Sequence, residues 1–166
     1  GPYAEKVGFD AVAQAMSGNM YMGGFPDEPR KAFVPYCDYG TASLAAFGTL
    51  AAIIHKMKTG DGQLVEGSLL RTSVTFANAL LIEQGVIDIE RTGSGNRGQT
   101  SAPSDAFQTK DGWIMVQIVG NPLYERWARL MGEEHWLTDA RFATDQLRGD
   151  NADIISERLA RWGKDK

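Results

Sequence analysis

The chain has 166 residues, 43% of them hydrophobic and 10% aromatic, which is enough apolar material for one ordinary core or two small ones. A net charge of −4 with no basic stripe offers nothing to neutralise a phosphate backbone, so no nucleic acid is expected as a partner. The single cysteine, Cys37, can form neither an internal disulfide nor a metal cluster; no metal is expected, and a cytoplasmic setting fits.

In chain order, Ala11, Val12, Ala15 and Met16 recur at helical spacing after Asp10, which predicts a short helix over residues 9–17 stopped by Gly18. Residues 23–35 hold three prolines and two glycines, turn chemistry that leads up to Tyr36-Cys37-Asp38. Leu44, Phe47, Leu50, Ala51, Ile54 and Met57 then line one face at the helical period. This predicts a buried helix that starts at Asp38 or Thr41 and stops through Lys56, Lys58 and Gly60. Its apolar run, residues 44–54, reads as too short and too rich in Ala and Gly to span a bilayer, so no membrane partner is expected. Its small residues (Ala45, Ala46, Gly48, Ala51, Ala52) invite close approach by another backbone. After the Asp61-Gly62 turn, residues 63–69 read as a strand and 70–84 as a second helix, making the first half α/β.

Residues 91–104 are rich in Gly, Ser, Thr and Asn and read as a linker or functional loop, dividing the chain into 1–90 and 105–166. Within it, Gly93-Ser94-Gly95-Asn96-Arg97-Gly98 matches G-x-G-x-x-G. The charged Asp88 to Arg91 before it and Pro103 after it are the wrong context for a dinucleotide site. Residues 105–109 and 113–119 flank Lys110-Asp111-Gly112, a hairpin signal. Asn121 is expected to cap a helix with Pro122 at its first position, running to Met131. A last helix from about Asp150 uses Ile154, Ile155, Leu159 and Trp162 as its core face. Trp113, Trp127, Trp136 and Trp162 read as core. His55 and His135 lack a nucleophile or paired carboxylate at motif spacing, which leaves a hydrolase triad unsupported. The start without Met and the end within a helical pattern read as a piece of a longer polypeptide.

Three separated motifs carry a resemblance: Gly8-Phe9-Asp10-Ala11-Val12-Ala13-Gln14-Ala15-Met16-Ser17-Gly18, then Asp38-Tyr39-Gly40-Thr41, then Lys58-Thr59-Gly60-Asp61-Gly62-Gln63. In order and spacing they resemble family III CoA-transferases, the CaiB/BaiF class. The match continues through Arg91-Thr92-Gly93, Asn96, Phe107, Asp111-Gly112 and Asp139-Ala140-Arg141-Phe142 over essentially the whole chain. The resemblance implies part of a large Rossmann-like α/β domain followed by a small α+β domain, in an interlocked homodimer. It implies reversible CoA transfer between an acyl-CoA and a carboxylic acid acceptor through an aspartyl anhydride and an aspartyl-CoA thioester. CoA is then a substrate, and no permanently bound cofactor is implied.

By the same resemblance Asp38 is the nucleophile. By spacing alone Asp38 reads first as a helix cap, and the resemblance reverses that order; as a nucleophile it would be held ionised by the positive helix N-terminus and its exposed N–H groups. Lys6, Val7, Gly8 and Phe9 match a CoA-contacting segment, although Lys6 reads equally as a surface lysine. Phe9 stands where the similar α-methylacyl-CoA racemases place a proton-shuttling histidine, and phenylalanine accepts no proton; packing in a core is its other reading. Gly98-Gln99 falls where formyl-CoA transferases carry a longer glycine run over the intermediate, which implies a substrate loop; a structural linker is the other reading. A racemase-like enzyme on the same scaffold and a non-catalytic binding module are the alternatives.

Overall fold

The computed structural model describes residues 2–166, which divide into two compact units at Gly95/Asn96. The break lies inside the 91–104 segment.

The first unit consists of helices α1 (Asp10–Met16), α2 (Asn19–Met22), α3 (Tyr36–Thr59), α4 (Leu69–Phe76) and α5 (Asn78–Ile87). α1 stops as expected at Gly18, whose φ of 81° suits glycine. Its inward face is not the expected one: Asp10, Ala13 and Gln14 are buried, while Ala15 and Met16 are exposed. α3 ends at Gly60, φ 84°, whose N–H closes on the Lys56 carbonyl at 2.8 Å, with Lys56 and Lys58 in the last turn complementing the helix dipole.

The small residues of α3 are used as the sequence suggests. A Cβ on Gly40 would stand 2.7 Å from the Phe76 ring of α4, and one on Gly48 would stand 3.0 Å from Val65. Thr41 Oγ1 donates to Thr72 Oγ1 of α4 at 2.8 Å.

Four expectations are corrected here. Among the described residues the first unit has no strand, so it is helical and not α/β; the run 63–68 finds no pairing partner, and a strand exists only through pairing. Residues 70–84 form two helices, because Ala77 (φ −88°, ψ 3°) breaks the ladder before Asn78. The large apolar face of α3 is open, with Phe47 75% and Met57 81% exposed, since no other part of the unit covers it. At 24 residues, with an 18-residue stretch of mean hydropathy 1.3, α3 is long and apolar enough by length and composition to cross a membrane. The expected limit at residues 44–54 overlooked its helical flanks.

The second unit opens with the expected hairpin. β1 (Ser104–Gln108) pairs antiparallel with β2 (Trp113–Gln117) in the register Ser104↔Gln117, and Thr109 N–H bonds the Gly112 carbonyl at 2.8 Å across the Asp111-Gly112 turn. Helices α6 (Asn121–Met131), α7 (Asp145–Asp150) and α8 (Ala152–Gly163) follow, with two 3-10 turns over Glu134–Thr138 and Ala140–Phe142. Phe107, Tyr124, Trp127, Trp136, Phe142 and Ile155 are among the residues of one buried cluster, and Trp162 packs against it. Trp113 does not join: at 70% exposure it sits on the outer side of β2.

Asn121 does not cap α6 with its side chain. Its Oδ1 accepts instead from Arg148 Nη2 at 2.9 Å, and Gly120 takes the cap position with φ 85°. Arg148, 1% exposed, also donates to the Phe142 carbonyl at 2.7 Å and to Asp145 Oδ1 at 2.5 Å, and lies 4.4 Å from the Tyr124 ring centroid. Asp145 in turn accepts from Gly120 N–H at 2.9 Å, so one buried cation ties α7 to the start of α6.

Candidate active site

The first four N–H groups of a helix have no partner within it. At the start of α3 Pro35 has no N–H, Tyr36 donates to the Val34 carbonyl at 2.8 Å, and Cys37 and Asp38 donate to one atom of α1, Asp10 Oδ2, at 2.7 and 3.2 Å. The cap of α3 is therefore supplied by Asp10, twenty-eight positions before Asp38.

Asp38 is thereby left out of the capping. Its carboxylate lies in the first turn, exposed, and forms no hydrogen bond or ion pair with any described residue. The cap reading of Asp38 is corrected, and so is the expectation that open N–H groups at the helix start await it: those of residues 37 and 38 are occupied. Beneath this turn Ser17 Oγ lies 2.7 Å from Ser73 Oγ, and Asn19 Nδ2 donates to Ser73 Oγ at 2.9 Å, fastening the α1–α2 turn to α4. Burial pushes the nearby Tyr36 phenol above its ordinary range.

Lys6, Val7, Gly8 and Phe9 come together on one wall of an open groove of about 570 Å³, with Val12 and Met16 of α1 and residues 68–70 at the start of α4 making up much of the rest. The groove is mainly apolar, and Lys6 is the one charged side chain among its described lining residues. Phe9 is 71% exposed, so the core reading of this residue is corrected: its ring borders the groove. Phe9 immediately precedes Asp10, which places the groove wall one residue from the group that holds the Asp38 amide.

Gly98 and Gln99 belong to the second unit. Gly98 N–H donates to the Ser104 carbonyl at 2.7 Å, and a Cβ on Gly98 would stand 2.7 Å from Ser104 Oγ. A Cβ on Gly149 of α7 would stand 2.6 Å from the Gln99 carbonyl oxygen. The backbone of residues 98–99 is thus packed closely on both β1 and α7. The G-x-G-x-x-G match has no strand before it, since Asp88 and Glu90 take positive φ there, and it leads into coil and then β1 with no helix. That is not the frame of a dinucleotide site.

Asp10 is the residue that sequence reasoning passed over. Its signal was present: Asp10 and Gln14 are polar residues at the i, i+4 spacing that puts them on one helix face, inside a motif otherwise made of small and apolar residues.

Comparison with known proteins gives a consistent result. The profile of CoA-transferase family III matches residues 1–166. Succinyl-CoA–D-citramalate CoA-transferase of Chloroflexus aurantiacus is 31% identical over 164 residues, which are 98% of this chain and 41% of that protein. Succinate–glutarate CoA-transferase of Agrobacterium fabrum is 31% identical over 99% of this chain and 42% of its own length. The crystal structure of a CAIB/BAIF family protein from Brucella suis superimposes with a TM-score of 0.76 at 26% identity, covering 100% of this chain and 44% of that one. The chain spans about two fifths of the length of the relatives it matches. With its whole length matched by the family profile, the chain belongs to CoA-transferase family III.

Proposed function

We propose that the protein is an acyl-CoA:carboxylate CoA-transferase with Asp38 as its covalent nucleophile. The observation that carries this reading is the Asp38 carboxylate, which is exposed in the first turn of a 24-residue helix and unpaired, because Asp10 already serves the amides of that turn. A carboxylate free of structural work is available to attack.

The Asp38 carboxylate attacks the thioester carbonyl of the donor and expels CoA thiolate, leaving a mixed anhydride. The thiolate then attacks the aspartyl carbonyl and releases the donor carboxylate, which gives an aspartyl-CoA thioester. The acceptor carboxylate attacks that thioester, and the returning thiolate takes the acyl group and frees Asp38. Lys6 offers a cation to a CoA phosphate, and the apolar groove wall of Val7 and Phe9 suits the pantetheine arm. The names of the relatives make succinyl-CoA the first donor to try. A racemase reading has less support, because Phe9 has no group that titrates.

The wider reading includes a cytoplasmic protein, a substrate loop at Gly98-Gln99, the Rossmann-like large domain of which this helical unit is a part, and an interlocked homodimer. The dimer is supported by the open apolar face of α3, and the cytoplasmic setting by the one buried free cysteine. The test is to incubate the full-length protein with succinyl-CoA, trap with hydroxylamine and map the adduct. It should lie on Asp38 and vanish in Asp38→Ala; an adduct elsewhere, or transfer undiminished in the variant, overturns the reading.

A further inference from the structure

α1 turns a polar edge inward. Asp10 and Gln14 stand one helical turn apart, and both are buried, Gln14 at 1% exposure. A buried carboxylate and carboxamide on a seven-residue helix are costly unless their polar atoms are matched. They are matched in one direction. Ala32 N–H donates to Gln14 Oε1 at 2.9 Å, Gln14 Nε2 donates to Asp10 Oδ1 at 2.5 Å, and Asp10 Oδ2 takes the N–H groups of Cys37 and Asp38. The approach to α3 is thus held at residue 32 and again at residues 37 and 38 by a single turn of α1.

We propose that Asp10 and Gln14 are positioning residues for Asp38: together they fix the first turn of α3 on α1, so that the Asp38 carboxylate is presented in one place. This rests on the reading of Asp38 as nucleophile. Both Asp10 oxygens and both polar atoms of Gln14 are already bonded within the chain, so the pair acts through the Asp38 backbone and not on substrate.

The directionality supplies the test. In Asp10→Asn the new carboxamide sets a donor against Gln14 Nε2, and one link of the relay is lost. Adding Gln14→Glu reverses that link without removing any bond. The carboxamide then donates to the new carboxylate, which still accepts from Ala32 N–H, and the carboxamide oxygen still accepts from Cys37 and Asp38. In the full-length protein three quantities are measured: single-turnover acylation of Asp38 by succinyl-CoA, KM for that donor, and hydrogen exchange of the Cys37 and Asp38 amides. Asp10→Asn should slow acylation by roughly a hundredfold, the scale of a misplacement near 1 Å, with KM little changed and both amides exchanging faster. The double variant should return most of the rate and the protection.

Should Asp10→Asn fail to fold, Gln14→Ala, which leaves Asp10 Oδ2 on both amides but frees Ala32 N–H and Asp10 Oδ1, takes its place; it should also lower kcat and leave KM alone. Acylation at the parental rate in a folded single variant, or a loss that the double variant does not recover, overturns the proposal. Failure of the functional reading looks different: the parent protein then carries no adduct on Asp38, while amide exchange still reports whether Asp10 and Gln14 hold the helix start.

Discussion

The two units of this chain solve the same problem unequally. The second, residues 96–166, buries Tyr124, Trp127, Trp136 and Phe142 in four mutual ring pairs and closes its own core. The first has five helices, yet of its described apolar side chains only the small ones of Ala13, Cys37 and Ala77 are buried. Its large ones, including Phe47, Leu50 and Met57 of α3, face outward. Apolar burial is the main favourable term in folding, at about 25 cal/mol per Å², so the second unit holds its stabilisation internally while the first must find it elsewhere. The candidate site lies in the unit that is not self-sufficient.

The strongest way to break this comparison is to separate the units. Residues 96–166 expressed alone should unfold in one cooperative thermal transition with native near-UV dichroism, whereas residues 1–95 alone should show helix without a cooperative transition and should bind a hydrophobic dye. A sharp transition in the isolated first unit would show that its polar contacts, such as Ser17–Ser73–Asn19 and Asp10 to α3, suffice without a large apolar core.

Single substitutions sharpen the same contrast. Asp145→Ala removes the carboxylate beside the fully buried Arg148, and breaking such a pair costs about 3–5 kcal/mol. A single core of this size rarely supplies more than that in total, so the variant of the isolated second unit should be unfolded at room temperature by circular dichroism. Phe47→Ala in this chain should change stability by less than about 0.5 kcal/mol, because an exposed ring has little to lose. In full-length protein the same change should cost several times more if α3 is covered there, and denaturant midpoints of the two forms give the answer.

What the sequence made legible follows the range of the interactions. The Asp111-Gly112 turn, the Gly18 and Gly60 stops and the core positions Ile155 and Leu159 are set by neighbours within a few residues, and all stand where the pattern put them. The run 63–69 reads as a strand by its residues, but no strand among the described residues pairs with it. Ala77 breaks a helix that no Gly or Pro announces. At the candidate site, Asp38 was found through motif and order. Its freedom from capping was not, because that depends on Asp10 reaching it across a loop of three prolines. Asn121 shows the same limit: its helix was legible, but Arg148 draws its side chain away from the cap.

The smallest predicted effect concerns pH and isolates one residue of the self-sufficient core. Tyr124 is 2% exposed, its hydroxyl has no hydrogen-bond partner, and burial pushes its ionisation from the ordinary 10.0 up to about 12, with Arg148 only partly opposing. The folded state therefore binds this proton more tightly than the unfolded chain. The resulting stability is fully present below pH 10.0 and is lost as pH rises toward about 12. Asp139 works at the other end: the Arg141 guanidinium holds its carboxyl below the usual 3.8, so its contribution is present above that value and fades as pH falls through the lowered one. Tyr124 is the only tyrosine in residues 96–166, so the phenolate absorbance of the isolated second unit reads it alone. Phenolate should appear near pH 12 and together with loss of near-UV dichroism, because the ring ionises when the core opens. Tyr124→Phe deletes a hydroxyl that has no partner and should flatten the alkaline limb while leaving stability at neutral pH equal or slightly higher. A phenolate titration centred at pH 10.0 in folded protein would mean that the ring is open to water, and that the second unit closes its core less completely than the comparison with the first requires.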